Sequence, residues 1–178
     1  MNSENYNVEI KAKCLNPKEI RKILANENAE FKGKQNQIDT YFNVTSGRLK
    51  LRECEEENHL IHYNRPDRED PKISEFGLYK TQGTMLKELL VKALGVLTIV
   101  DKEREIYLLN NIKFHIDDVK GLGSFVEIEA MGNGNSDKSK LLDQCKYYIK
   151  LLRIKDDELL PFSYSDMISD KSMTHHNN

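Results

Sequence analysis

Residues 7–14, NVEIKAKC, alternate without a break. Val8, Ile10, Ala12 and Cys14 share one parity, and Glu9, Lys11 and Lys13 share the other. A period of two belongs to a β-strand, whose successive side chains point to opposite faces. The same alternation returns in GRLKLREC (47–54), NIKFHIDDV (111–119) and SFVEIEAM (124–131). Four further segments read as strands: QIDTYFNV (37–44), HLIHYNRPD (59–67, ended by Pro66), SEFGLYKT (74–81) and VLTIVDKEREIYLL (96–109). Pro66 marks an end because proline cannot donate to a sheet ladder. Asn110-Asn111 suits a tight hairpin, since Asn tolerates positive φ, and KGLGS (120–124) supplies glycines for the next reversal. The last three strands therefore form a meander.

Three helices interrupt this pattern. Asn16 caps the first, with Pro17 in the opening turn and Ile20, Ile23 and Leu24 as its apolar stripe, and it runs to about Asn28. The second covers 84–95 and stops at Gly95. The third, 136–152, places Leu141, Leu142, Cys145, Tyr148, Ile149 and Leu152 at helical spacing. SYSD (163–166) reads as a segment docked on the sheet, and the tail from Ser169 as frayed. There is no internal repeat and no interdomain linker. Eight strands in mostly antiparallel order, with helices to cover their apolar parity, predict an α+β fold: an eight-stranded antiparallel β-barrel with helices packed outside.

Closure turns the second parity toward a lumen. It carries Glu9, Lys11 and Lys13; Arg48, Lys50 and Arg52; Lys102 and Arg104; Lys113, His115 and Asp117; and Glu127 and Glu129, with Arg65 at the end of the fourth strand. On any one strand such charges are what a wet sheet face carries. Taken together they sort: bases dominate the middle strands, while acids gather on the first and the last two. Lining a lumen with like charges is costly unless a polyanion and a metal compensate. Arg grips phosphate oxygens bidentately and Lys acts as a point charge. Paired carboxylates two residues apart on a strand suit Mg²⁺ or Mn²⁺ held together with substrate phosphate. The pattern reads as a triphosphate site with a metal at one end.

The chain resembles the CYTH family, the triphosphate tunnel metalloenzymes, and within it the class IV adenylyl cyclase branch. The resemblance rests on VEIKAK, GRLKLR, LIHYNRPD, the Lys102-x-Arg104 pair, FHIDDVKGLGSFVEIE and FSYSDMI. It implies a CYTH domain over 1–168, with 169–178 as a disordered tail. It implies Glu9, Glu127 and Glu129 as metal ligands for Mg²⁺ or Mn²⁺. Lys13, Arg48, Lys50, Arg52, Arg65, Lys102, Arg104 and Lys113 would hold phosphates, and Asp117 and Lys11 are the candidate catalytic groups. The family's signature strand reads Glu-x-Glu-x-Lys. Laid on Glu9-x-Lys11-x-Lys13, a lysine replaces the middle glutamate, which removes a carboxylate and weakens the case for a second metal.

Three activities remain open on these residues. They are cyclisation of ATP to cyclic AMP and pyrophosphate, hydrolysis of tripolyphosphate, thiamine triphosphate or a nucleotide, and non-catalytic binding of polyphosphate or nucleotide. A net charge of −2 makes any basic site a local concentration offset by acids elsewhere, and does not suggest nucleic-acid binding. No apolar run approaches the ~20 residues that cross a membrane, and the start lacks a signal-peptide pattern. The expectation is a cytoplasmic protein, monomer or homodimer, with Cys14, Cys54 and Cys145 reduced. His59 and His62 make a poor metal pair, and His115 fits best as a partner of Asp117 or a neighbouring Tyr.

Overall fold

The computed structural model describes residues 6–65, 69–133 and 136–174. In chain order these form β1 (Tyr6–Lys13), α1 (Pro17–Asn26), β2 (Glu30–Phe42), β3 (Arg48–Cys54), β4 (Asn58–Asn64), β5 (Lys72–Thr81) and α2 (Met85–Leu94). There follow β6 (Val96–Leu109), β7 (Ile112–Val119), β8 (Gly123–Gly132), α3 (Lys138–Leu151) and α4 (Tyr164–Thr174). The strands close into one antiparallel barrel in the order β1-β5-β4-β3-β2-β6-β7-β8. Pro66 and Asp67, the expected end of the fourth strand, lie outside the described residues, as do His175 and His176.

Local chemistry sets the element ends. The Asn16 side chain accepts from the Glu19 amide at 3.3 Å, with Pro17 in the first turn. Asp137 caps α3 by accepting from the Ser139 amide at 2.9 Å. Gly95 ends α2 at φ 70°, and Asn110 takes φ 54° in the β6–β7 turn, conformations that glycine and asparagine tolerate best.

The apolar parity faces outward. Val8, Ile10 and Ala12 of β1, Ile112, Phe114 and Ile116 of β7, and Val126, Ile128 and Ala130 of β8 pack against Ile20 and Leu24 of α1 and Leu141 and Cys145 of α3. Burying such side chains contributes about 1.5–3 kcal/mol each. All three cysteines are free, and burial pushes the Cys145 thiol up to about 12, which leaves it inert.

Two elements differ from the sequence expectation. β2 begins at Glu30 rather than residue 37. Apart from Phe31 its first half is polar and largely exposed, so it carries no apolar period, and it pairs with β6 through an irregularity between Phe31 and Gly33. The second is α4, where the sequence shows no apolar stripe. The helix continues through Thr174, past Ser169, where the sequence reading places the start of the tail.

Strand pairing also decides which ends meet. One rim gathers the C-terminal ends of β1, β2, β4 and β7 with the starts of β3, β5, β6 and β8. The last segment of the chain covers this rim. Leu159 bridges to Ala12, the Leu160 amide donates to the Lys11 carbonyl at 2.9 Å, and Lys72 Nζ donates to the Pro161 carbonyl at 3.0 Å. Arg48 pairs with Asp166 of α4 at 2.9 Å. The opposite rim carries no such cover among the described residues.

Candidate active site in the barrel lumen

The inward parity surrounds a cavity of about 300 Å³. β1 supplies Asn7, Glu9 and Lys11; β3 supplies Lys50 and Arg52; β6 supplies Lys102 and Arg104; β7 supplies Lys113 and His115; β8 supplies Glu127 and Glu129. Arg65 enters just after β4. The structure therefore brings most of the expected set together.

Three of the expected residues sit elsewhere. Lys13 is exposed at the end of β1 and does not line the cavity. Arg48 turns toward α4. Asp117 is fully buried beneath the cavity, with Arg104 Nε donating to Oδ1 at 2.7 Å and Arg104 Nη2 to Oδ2 at 2.5 Å. The Tyr164 hydroxyl donates to Oδ2 at 2.8 Å. Both oxygens of Asp117 accept from these partners, and the residue does not line the cavity.

Sequence reasoning missed a buried carboxylate that pairs with three of the lumen bases. Asp39 of β2, only 1% exposed, accepts from Lys50 at 2.9 Å, from Arg52 at 2.7 and 2.8 Å, and from Lys102 at 2.8 Å. The signal was present, because Asp39 shares the polar parity of QIDTYFNV with Gln37 and Tyr41. Tyr164 was also missed. Its ring enters from the covered rim, and Lys11 Nζ lies 3.5 Å from its centroid. The segment 163–166 does dock on the barrel, and it also forms one wall of the cavity.

The electrostatics follow from burial and close pairing. Burial alone raises the Asp39 carboxyl, but Arg52, Lys102 and Lys50 outweigh it and hold the group well below the usual carboxylate range. Asp117 is likewise held low by Arg104 against its burial. Burial, helped by Arg52, pushes Lys50 down to about 8. Burial also lowers Lys102, and lowers Lys11 together with the nearby Arg65. Lys11 is paired with Glu127, and Arg104 also donates to Glu127 at 2.6 Å. Seven bases (Lys11, Lys50, Arg52, Arg65, Lys102, Arg104, Lys113) meet five acids (Glu9, Asp39, Asp117, Glu127, Glu129) in and beneath this lumen. The surplus is positive although the whole chain is negative.

Two observations show unmet valence. Arg65 gives Nη1 to Glu9 at 2.5 Å, while its buried Nε and Nη2 have no hydrogen-bond partner. Buried donors left this way are costly and suit an anion. His115 Nδ1 is also buried without a hydrogen-bond partner, 3.5 Å from Glu127 and 3.4 Å from Glu129. Ligating atoms of His115, Glu127 and Glu129 all lie within 4.8 Å of one another. One imidazole nitrogen and two carboxylates form a donor set that fits a divalent cation. Glu9 pairs in register with Glu129 on the adjacent strand but falls outside that trio.

Comparison with known proteins agrees with the lumen. Residues 5–164 match the model of the CYTH domain. A protein of Methanocaldococcus jannaschii named "Putative adenylate cyclase" is 30% identical over 170 residues, spanning 90% of this chain and 97% of that protein. The PH1012 protein of Pyrococcus horikoshii OT3 superposes with a TM-score of 0.80 at 24% identity, over 90% of this chain and 98% of that one. A structure from Hippeastrum, described as a "putative adenylyl cyclase" that reveals a dominant triphosphatase activity, gives a TM-score of 0.60 at 11% identity, over 94% and 95% of the two chains. Matched over nearly its whole length, and with its charges turned inward as that fold requires, this chain belongs to the CYTH domain family.

Proposed function

We propose that the chain is a divalent-metal-dependent enzyme acting on a triphosphate bound in the barrel lumen. We propose further that its reaction is that of the class IV adenylyl cyclase branch, ATP to cyclic AMP and pyrophosphate. The observation that carries the reading is Arg65, which lines a cavity already rich in bases and has two buried nitrogens without a hydrogen-bond partner. A bound phosphate oxygen satisfies them.

Arg65, Lys50, Arg52, Lys102, Arg104 and Lys113 are the phosphate-binding groups in this reading. Asp39 and Asp117 hold four of these six in place, so little reorganisation is needed when substrate arrives. Lys11 sits between Glu127 and the Tyr164 ring, where it stabilises charge on the departing pyrophosphate. His115, Glu127 and Glu129, with Glu9 beside them, would hold Mg²⁺ or Mn²⁺, which polarises phosphoryl oxygens when bound.

A second register of the signature strand fits this reading. The inward residues of β1 are Asn7, Glu9 and Lys11, so Glu-x-Glu-x-Lys maps onto Asn7-x-Glu9-x-Lys11. The departure from the pattern is then Asn7, and Lys11 takes the place of the family's lysine.

Hydrolysis is the second reading, since the same lumen binds the same triphosphate, and the Hippeastrum neighbour is described with that activity. The test is product analysis by mass after incubation with ATP, tripolyphosphate and thiamine triphosphate, with Mg²⁺ or Mn²⁺. Cyclic AMP with pyrophosphate, lost in Glu127→Gln and Glu129→Gln, is the expected result. ADP and phosphate alone would assign hydrolysis. No metal-dependent turnover of any substrate would leave a binding protein.

A further inference from the structure

α1 buries Ile20 and Leu24, and α3 buries Leu141 and Cys145, but α2 buries none of its residues. Its sequence is MLKELLVKAL, with seven apolar residues in ten. A helix apolar on most sides belongs in an interior. Two contacts fix its place on the outside of the barrel. Lys87 Nζ donates to Glu53 of β3 at 2.6 Å, and the Asn43 amide, just after β2, donates to the Leu94 carbonyl at 3.1 Å. α2 therefore lies along β2 and β3. Leu86, Leu90 and Leu94 take its half-buried side, and Met85 and Leu89 point to solvent.

The sheet beside the helix is bare in the same way. β6 is the other neighbour of β2. Alternation from the lumen-lining Gln37 and Lys102 turns Ile38 and Ile99 outward, in diagonal register across the Thr40–Ile99 pair. Leu97 follows at the irregularity where β6 meets the end of β2. Met85, Leu89, Val91, Ile38, Leu97 and Ile99 are each 36–72% exposed. Together they show about 500 Å² of carbon, as much as the largest patch of a typical monomer, and patches of that size mark interaction sites. A standard interface takes about 800 Å² from each partner, roughly two-thirds of it apolar between identical chains. The patch matches that share.

Its charges suit a second copy of the same chain. Glu88 and Lys92 flank the exposed stripe of α2 one turn apart, and neither side chain is ion-paired among the described residues. Two such helices packed antiparallel about a two-fold axis level with Leu90 set Glu88 of each opposite Lys92 of the other. A two-fold interface pairs residue i with j and j with i, so one acid and one base complete two ion pairs. Lys87 is already taken by Glu53, so the helix has no surplus of bases for an anionic lipid surface.

We infer that α2 and the outer face of β6 form the interface of a homodimer, with α2 packed antiparallel on α2 about a two-fold axis. The inference is independent of the triphosphate reading, since this face lies outside the barrel.

Sedimentation velocity on the full chain, from about 1 to about 100 μM, tests it. A species of twice the 20.7 kDa chain mass is expected at the upper end. Leu89→Glu and Ile99→Lys should each raise the dimer dissociation constant at least about thirtyfold, the scale of a central interface residue. Both side chains are exposed in the single chain, and either variant carries the test if the other does not fold. Glu88→Lys and Lys92→Glu should each weaken the dimer about tenfold, and the double variant should return to within about threefold of the parent. Tyr147→Ser, at an equally exposed residue of α3, should leave the constant within about twofold. A monomer throughout the range overturns the inference. So does a dimer that Leu89→Glu and Ile99→Lys leave intact, or one that Tyr147→Ser weakens as much. Failure of the charge swap to recover the dimer overturns the antiparallel arrangement.

Discussion

Asp39→Asn removes one negative charge from among the lumen bases and leaves the shape nearly unchanged. The carboxylate is paired with Lys50, Arg52 and Lys102 at 2.7 to 2.9 Å. At 2.8 Å and an effective dielectric of about 20, each pairing is worth about 6 kcal/mol of Coulomb energy. Desolvation cancels much of this, and the net cost of removing one partner from a buried set is about 3–5 kcal/mol. For a chain of 178 residues, each kcal/mol moves Tm by about 2–4 °C. The variant is thus expected to melt about 6–20 °C lower at pH 7. The depressed Asp39 carboxyl contributes its stability above the ordinary Asp value, and loses it only as pH falls toward the lowered native one. The gap between parent and variant should therefore close in acid. It should also narrow as pH rises through about 8, where Lys50 of the parent sheds its charge. Urea unfolding at several pH values measures both trends. Saturating tripolyphosphate should recover more stability in the variant than in the parent, because the ligand replaces the lost anion. A loss below about 1 kcal/mol at pH 7, or the same recovery in both proteins, would refute Asp39 as the counter-charge of the lumen.

Free Lys50 loses its proton as pH rises through about 8 and must be charged to bind phosphate, so triphosphate affinity should fall above that pH, with proton uptake on binding. Titrations in buffers of different ionisation enthalpy detect the uptake, and Lys50→Arg should reduce it. Tyr164→Phe removes the buried hydrogen bond to Asp117 and keeps the ring against Lys11, so it should cost about 1–2 kcal/mol in urea unfolding and leave triphosphate binding intact. Gly47→Ala should destabilise by about 1–3 kcal/mol, measured in the same way. Gly47 has φ 64°, and a Cβ there would meet the Tyr63 carbonyl oxygen at 2.7 Å.

Legibility in the sequence follows the physics of each element. β1, β3, β7 and β8 show a clean period of two because one face packs on helices or core and the other meets charge. The first half of β2 does not, because residues 30–36 have no buried face to mark. Parity named most of the lumen correctly but could not say how far along a strand the lumen extends. Hence Lys13 shares the parity of Lys11 and yet ends up exposed, while Asn7, polar and unremarked in sequence, lies inside. Asp117 shares the inward parity as well, but Arg104 and Tyr164 occupy it, and parity holds no information about pairing.

By itself the sequence determined which side chains of each strand share a face, because alternation is a local property of extended backbone. From that followed the barrel, the outward core and an inward set of bases and acids. Only the tertiary structure decided who pairs with whom and which end of the barrel is open. Asp39 and Lys102 are 63 residues apart and Tyr164 and Asp117 are 47 apart. Such contacts exist only after eight strands have closed in one register, and no local period encodes that closure.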